Sequence, residues 1–299
     1  MNWTSNQSSA ISNQYRLRRA EENHHSSFGR KRSFTLIELL IILAVIVIQA
    51  QLLLPALNRA KGTVGAVSCT DNLKKIGTAH QSYISDYDGW LLPAQLNRYA
   101  SAEFRGPQYF HAWQWFGMLS GYTARGARQV CRGYNLKYGG LSNGRKKSPD
   151  FACPAEPVDF GSYAKNLFEY THYAINGFLV GTTNERTEIY KFNRKITCLT
   201  EPAQALIFAD NRYLAGCSMC PSVNNLGFRH GAADPRPYTG NKIESAAGTT
   251  GKCNMIFMDN HVDAVDYKTF ITWKPGRPLP KCYDKSYYHM FMRGFDAFK

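Results

Sequence analysis

Arg30-Lys31-Arg32-Ser33-Phe34-Thr35-Leu36-Ile37-Glu38-Leu39-Leu40 carries a basic cluster straight into an apolar segment that reaches Leu57. Glu38 is the only charge inside that segment, and Leu39 to Leu57 contains none. The length is what a helix needs to cross a hydrocarbon core of about 30 Å. A charged side chain near the bilayer centre costs about 2.5 kcal/mol or more, so an acid placed here is expected to have a use. Upstream, six basic residues (Arg16, Arg18, Arg19, Arg30, Lys31, Arg32) face Glu21 and Glu22, a net charge of +4 for residues 1–33. Basic residues beside a membrane segment stay on the cytoplasmic side, which places everything after Leu57 outside the cytoplasm. The plainer alternative is an uncleaved signal anchor whose Glu38 snorkels to the interface.

In this register Phe34-Thr35-Leu36-Ile37-Glu38-Leu39-Leu40 resembles the N-terminal cleavage and methylation motif of type IV pilins and type II secretion pseudopilins. Counted from Phe34, Glu38 is fifth and Pro55 twenty-second, the places where that family carries its acid and a helix-kinking proline. Ser33 stands where the family normally has glycine. The resemblance implies cleavage by a prepilin peptidase between Ser33 and Phe34, and methylation of the new Phe34 amine. It further implies that Glu38 meets the Phe34 amine of a neighbouring pilin-like subunit in a helical bundle, where an unpaired ion would be costly. The implied fold is α+β and pilin-like: a long N-terminal helix, its first half in the inner membrane, packed on an antiparallel sheet. The implied organisation is a leader over 1–33, a membrane and assembly segment over 34–57, an amphipathic helix over 58–88 and a β-rich globular domain over 89–299.

The chain has 299 residues and a formal charge of +14, of which +11 falls after Pro55. Such a surface suits anionic polysaccharide, nucleic acid or lipid headgroups, although solubility alone can account for it. There are eight cysteines: Cys69, Cys131, Cys153, Cys198, Cys217, Cys220, Cys253 and Cys282. Outside the cytoplasm an even number favours disulfides, and spacing does not reveal the connectivity. Cys217 and Cys220 form the one close pair, open to a local bridge, a redox motif or half a zinc site; a structural role is favoured because no second pair follows. Cys69 with Cys153 is one candidate bridge, which would tie the helix to the globular domain.

Beyond Pro55 the residues Cys69, Leu73, Ile76, His80, Tyr83 and Tyr87 recur at helical spacing, with Asp71, Lys74, Lys75 and Gln81 opposite. Asp88-Gly89 ends the pattern, so one helix is expected from Phe34 to Tyr87, about 80 Å long at 1.5 Å per residue. His80 reads as a packed core histidine. Phe104, Tyr109, Phe110, Trp113, Trp115, Phe116 and Tyr122 form an aromatic run that reads as core, with a sugar-stacking platform as the sharper alternative. Arg125, Arg128, Arg132, Lys137, Arg145, Lys146 and Lys147 make a basic, glycine-rich loop, ordinarily a solvated face, so nucleic acid is not the expected partner. Ile196–Leu199 and Ala205–Ala209 read as short strands joined through Pro202. Cys253–Met258 and His261–Val265 read as a hairpin around a two-residue primed turn at Asp259-Asn260.

Arg229-His230 together with Met255-Ile256-Phe257-Met258-Asp259-Asn260-His261-Val262 resembles a C-terminal motif, a histidine followed by an Asp-Gly turn, of large pilin-like proteins abundant in planctomycetes. Asn260 stands in place of the glycine, and asparagine tolerates positive φ. No cofactor is expected; calcium at Asp259, His261, Asp263 and Asp266 is the alternative. No nucleophile elbow, phosphate-binding glycine loop or zinc-protease motif occurs, which argues against an enzyme. The expected function is a structural subunit of a type II secretion pseudopilus or type IV pilus-like fibre. The alternative is a membrane-anchored module that binds acidic polysaccharide.

Overall fold

The computed structural model describes residues 34–96, 113–121, 133–138, 150–181, 193–217, 223–238, 244–273 and 289–296. Several expectations lie outside the described residues: the leader with Ser33; Phe104, Tyr109, Phe110 and Tyr122; Cys131, Cys220 and Cys282; and the basic loop apart from Lys137. The chain divides into two units, Met1–Ala56 and Leu57–Lys299.

Helix α1 runs Leu36–Asp86 with Pro55 inside it. In the first unit the large apolar side chains from Leu36 to Leu54 are all exposed. A helix that is apolar all round belongs in a membrane or a packed core rather than against water. By length and composition it is the one helix among the described residues able to cross a membrane.

In the second unit the same helix becomes one-sided. Cys69, Leu73, Ile76, His80 and Tyr83 are buried, while Asp71, Lys74 and Lys75 are exposed. Two residues depart from the expected faces. Tyr87 lies past the helix end and stays 37% exposed, stacked on Tyr83 at 4.2 Å. Gln81 is half-buried, because its side-chain amide donates to Met258 O at 2.7 Å and so belongs to the packed side. The helix stops where Asp88 turns to φ +50° and Gly89 to +79°, and Gly89 N–H returns to Ile84 O at 2.9 Å. That left-handed exit takes up a terminal carbonyl the helix leaves unpaired.

The sheet has four antiparallel strands in the order β1 (Tyr173–Ile175), β2 (Leu206–Asp210), β3 (Lys252–Phe257) and β4 (Val262–Asp266). The fold is therefore α+β. Strand β2 is buried along its whole length and β3 is buried from Cys253 onward. They are the central pair and read as apolar runs instead of alternating, as strands covered on both faces do. Trp115 and Phe116 are fully buried and pack against Phe151, so this part of the aromatic run is core and offers no stacking platform.

Two strand expectations are corrected. Ile196–Cys198 is a 3-10 turn, not a strand. Its first N–H is taken by Gly89 O at 2.7 Å and the next two carbonyl acceptors lie three residues back, leaving no ladder to extend. The hairpin turn is not of primed type. Asn260 alone has positive φ (+70°), Asn260 N–H donates to Phe257 O, and Phe257 N–H donates to His261 O. Three residues, Met258 to Asn260, thus make the loop, with Asn260 left-handed at its end.

Gly77 is where helix and hairpin meet. A Cβ on Gly77 would come within 2.2 Å of Asn260 Oδ1 and 2.5 Å of Ile256 Cδ1. The hairpin therefore sits on bare helix backbone. Gly77→Ala is expected to destabilise the second unit by about 1–3 kcal/mol through overpacking, read as a lower denaturation midpoint of the detergent-solubilised chain.

His80 packs edge-on against Phe208 with centroids 5.6 Å apart, and among the described residues neither ring nitrogen has a hydrogen-bond partner. Burial pushes its pKa down from the ordinary 6.5 to about 3. The unfolded chain therefore binds a proton near pH 6.5 that the folded chain refuses until about pH 3. Stability falls with acidification across that window, by up to about 1.4 kcal/mol per pH unit from this group. His80→Leu is expected to remove that slope, so denaturation midpoints of variant and parent should diverge as pH drops from 6.5 toward 4.

Candidate functional site

Two places concentrate chemistry that packing alone does not require. The first is the start of α1. Thr35 sits immediately before the helix and Glu38 is its third residue. Glu38 N–H donates to Thr35 Oγ1 at 3.3 Å, and Thr35 N–H donates back to Glu38 Oε2 at 2.8 Å. The Thr35 hydroxyl also donates to the same carboxylate at 2.9 Å. This is a reciprocal capping box, which satisfies donors that a helix start leaves open. Its sequence signal is the spacing Thr35-x-x-Glu38. Phe34 is 73% exposed beside it.

The second place is a buried ion cluster in the second unit. Arg229, Glu156, Asp210 and His230 all have side chains at most 4% exposed. Asp210 ends β2. Its Oδ2 accepts from Asn254 N–H at 2.7 Å and lies 2.9 Å from His230 Nε2, while Oδ1 is 3.5 Å from Arg229 Nη2. Arg229 Nη1 pairs with Glu156 Oε2, and Nη2 donates to His172 O and Asn211 O, both at 3.0 Å. Glu156 is further held by the Tyr238 hydroxyl and by Val158 N–H. Burial opposes the charge on Arg229, but the facing carboxylates of Glu156 and Asp210 outweigh it and raise its pKa above the usual guanidinium value.

Against this cluster lies the Cys69–Cys153 disulfide, 84 residues apart in the chain and 5.1 Å between Cα atoms. It joins the middle of α1 to the loop that opens the later half, so the tie between helix and globular part is present. Cys153 Sγ is 3.8 Å from His230 Nε2. Cys217, the other candidate, is buried, and its sulfur lies 3.3 Å from Gln114 Oε1. Its sequence neighbour Cys220 lies outside the described residues.

The structure separates the residues of the C-terminal motif. His230 pairs with Lys252 through two backbone hydrogen bonds, at the start of β3. Asp259, Asn260 and His261 form the turn beyond its other end, about 17 Å away at 3.4 Å per residue. His230 belongs to the ion cluster, whereas the turn belongs to the helix contact. At the turn His261 stacks on Phe257 at 4.4 Å, and its Nδ1 meets Asp259 Oδ1 at 2.5 Å. Partial burial opposes ionisation of Asp259, yet the His261 backbone N–H and ring hold its pKa below the ordinary value. Asp263 stands 3.6 Å from His261 Nε2. Asp266 is not part of this group; it caps the short helix α2 (Tyr267–Ile271), accepting from Thr269 N–H at 2.9 Å.

Asp210 and Glu156 are the functional candidates that sequence reading missed. A lone acid closing the apolar run Leu206-Ile207-Phe208-Ala209 was the available signal for Asp210. Nothing local marks Glu156. The cluster predicts a specific failure. Arg229→Met strands two buried carboxylates without a counter-charge, a loss of about 3–5 kcal/mol. Thermal denaturation should show it, with Arg229→Lys recovering part of the charge but not the forked contacts.

Compared with protein-family models, with curated proteins and with solved structures, the chain matches none.

Proposed function

We propose that this chain is a pilin-like structural subunit. It is cut between Ser33 and Phe34 by a prepilin peptidase, methylated on the Phe34 amine, and assembled through α1 into a pseudopilus or pilus-like envelope fibre. It begins as a single-pass inner-membrane protein with residues 1–33 in the cytoplasm and the second unit outside. The observation that carries the reading is the placement of Glu38: one acid at the capped start of a helical segment, Leu36 to Leu54, whose large apolar side chains are all exposed. An uncovered apolar rod suits lipid first and copies of itself afterwards, since both solvate it on every side. Helix ends in such a bundle gain from paired ions and lose heavily from lone ones.

The capping box sharpens the test. Glutamine fills the third position of a capping box as glutamate does, so Glu38→Gln retains the cap and removes only the charge. On the assembly reading both Glu38→Ala and Glu38→Gln lose fibre incorporation by at least about tenfold while remaining membrane-inserted and folded. If Glu38→Gln assembles like the parent, Glu38 serves its own helix alone and the Phe34 pairing is wrong. Mass spectrometry of the mature protein gives the second check, a methylated Phe34 as the first residue. Recovery of the uncut chain as the sole species in a cell with active prepilin peptidase would defeat the reading.

The second reading, an anchored binder of acidic glycan, is favoured by one surface feature. A groove of about 760 Å³ between α1 and residues 134–137 is lined by Lys74, Lys75 and Lys137. Asp71 and Asp150 line it as well, so its charge is mixed.

A further inference from the structure

Four metal-ligand atoms converge inside the second unit. One atom each from Cys69, Cys153, Asp210 and His230 lie within 4.8 Å of one another, and all four residues are buried. They arrive from four separate places: the middle of α1, the loop at Cys153-Pro154, the end of β2, and the residue bridged to Lys252. Two sulfurs, one imidazole and one carboxylate make up a tetrahedral zinc donor set. Such a site wants Zn–S near 2.3 Å and Zn–N or Zn–O near 2.0–2.2 Å, hence ligand atoms about 3.5 Å apart. His230 Nε2 already stands 3.8 Å from Cys153 Sγ and 2.9 Å from Asp210 Oδ2.

We propose that this locus is a clasp with two forms: the Cys69–Cys153 disulfide when oxidised, and a zinc(II) site of Cys69, Cys153, Asp210 and His230 when reduced. The two exclude each other, because the disulfide sulfurs carry no thiolate charge to give a metal. Interconversion balances simply. A thiol reductant transfers two electrons and two protons, leaving Cys69 and Cys153 as thiols and itself as a disulfide. Zinc(II) then displaces both thiol protons to solvent and forms two Zn–S bonds with no change of oxidation state.

The surroundings suit the reduced form. Asn254 N–H orients Asp210, and the His230 backbone is held on both sides by Lys252. His230 Nε2, the ring nitrogen that would bind the ion, faces Asp210 Oδ2 and Cys153 Sγ. Two thiolates and a carboxylate exceed the charge of zinc by one; Arg229 beside Asp210 offsets part of this while also facing Glu156, so the reduced cluster as a whole carries one net negative charge. The disulfide fastens α1 to the Cys153 loop and the zinc form would fasten it to that loop and to the end of β2, so the helix contact survives in a chain that has not yet been oxidised. This inference does not rest on the assembly reading.

The test uses the full chain in detergent, reduced with a phosphine that is then removed, and titrated with cobalt(II) followed by zinc(II). The expected result is one equivalent of cobalt per chain. It should show the visible bands of a tetrahedral ion and a thiolate charge-transfer band, both displaced by zinc and both absent from the oxidised chain. His230→Ala and Asp210→Asn should each weaken binding by at least about tenfold, whereas His230→Cys should keep it, since thiolate replaces imidazole in zinc sites. Folding of each variant is checked by circular dichroism in the oxidised form, where the disulfide holds the clasp without metal. The proposal is overturned if the reduced chain takes no tetrahedral metal. It is equally overturned if the Cys69→Ser, Cys153→Ser double variant keeps the full signal, which would put the ion on other cysteines.

Discussion

Asp210 ends the central strand β2 with no exposed surface, and a carboxylate shut away from water must find its solvation within the protein. Asn254, Arg229 and His230 supply it. Each of these is in turn fixed by something else: Asn254 by the β3–β4 ladder, where it stands opposite Ala264, Arg229 by Glu156 and two carbonyls, His230 by its bridge to Lys252. The segment from Phe228 to Tyr238, which has no regular secondary structure, is thereby ordered by charge instead of by a ladder. Breaking any single partner leaves a buried ion, which is why the cluster behaves as a unit.

The same cluster sets what the helix can do. Cys69 and Cys153 meet beside it, and the disulfide fastens α1 at one point. Gly77 and Asn260 fasten it at another, where the hairpin turn rests on helix backbone. Between them Leu73, Ile76 and His80 fill the space over the sheet. Two attachments and one apolar stripe give this half of the helix a single way to lie on the sheet. The residues before Ala56 share none of these contacts and expose apolar surface throughout.

Much of this was legible beforehand. The apolar run, the change to a one-sided pattern near Cys69, the stop at Asp88-Gly89 and the strands around Asp259-Asn260 all follow from local periodicity and turn chemistry. Errors arose where a distant group claimed a backbone. Ile196–Cys198 has strand-like composition, yet Gly89 O takes its first N–H and a 3-10 turn results. The turn at Asp259-Asn260 gained a third residue because Met258 N–H is held by the carbonyl of Ala205, the residue just before β2. Gln81 looked like a solvent-facing residue until the carbonyl of Met258 drew it inward.

By itself the amino-acid order determined the long helix, the membrane-length reach of its apolar half, the single acid within that half and the existence of the final hairpin. Each depends on residues within a few positions of one another, where sterics and hydrophobic spacing act directly. Only the tertiary structure decided that Cys69, Cys153, Asp210 and His230 share one buried point, and that His230 parts company with the Asp259 turn. Those outcomes depend on which strand lies beside which, and no local spacing encodes an encounter between residues up to 161 positions apart.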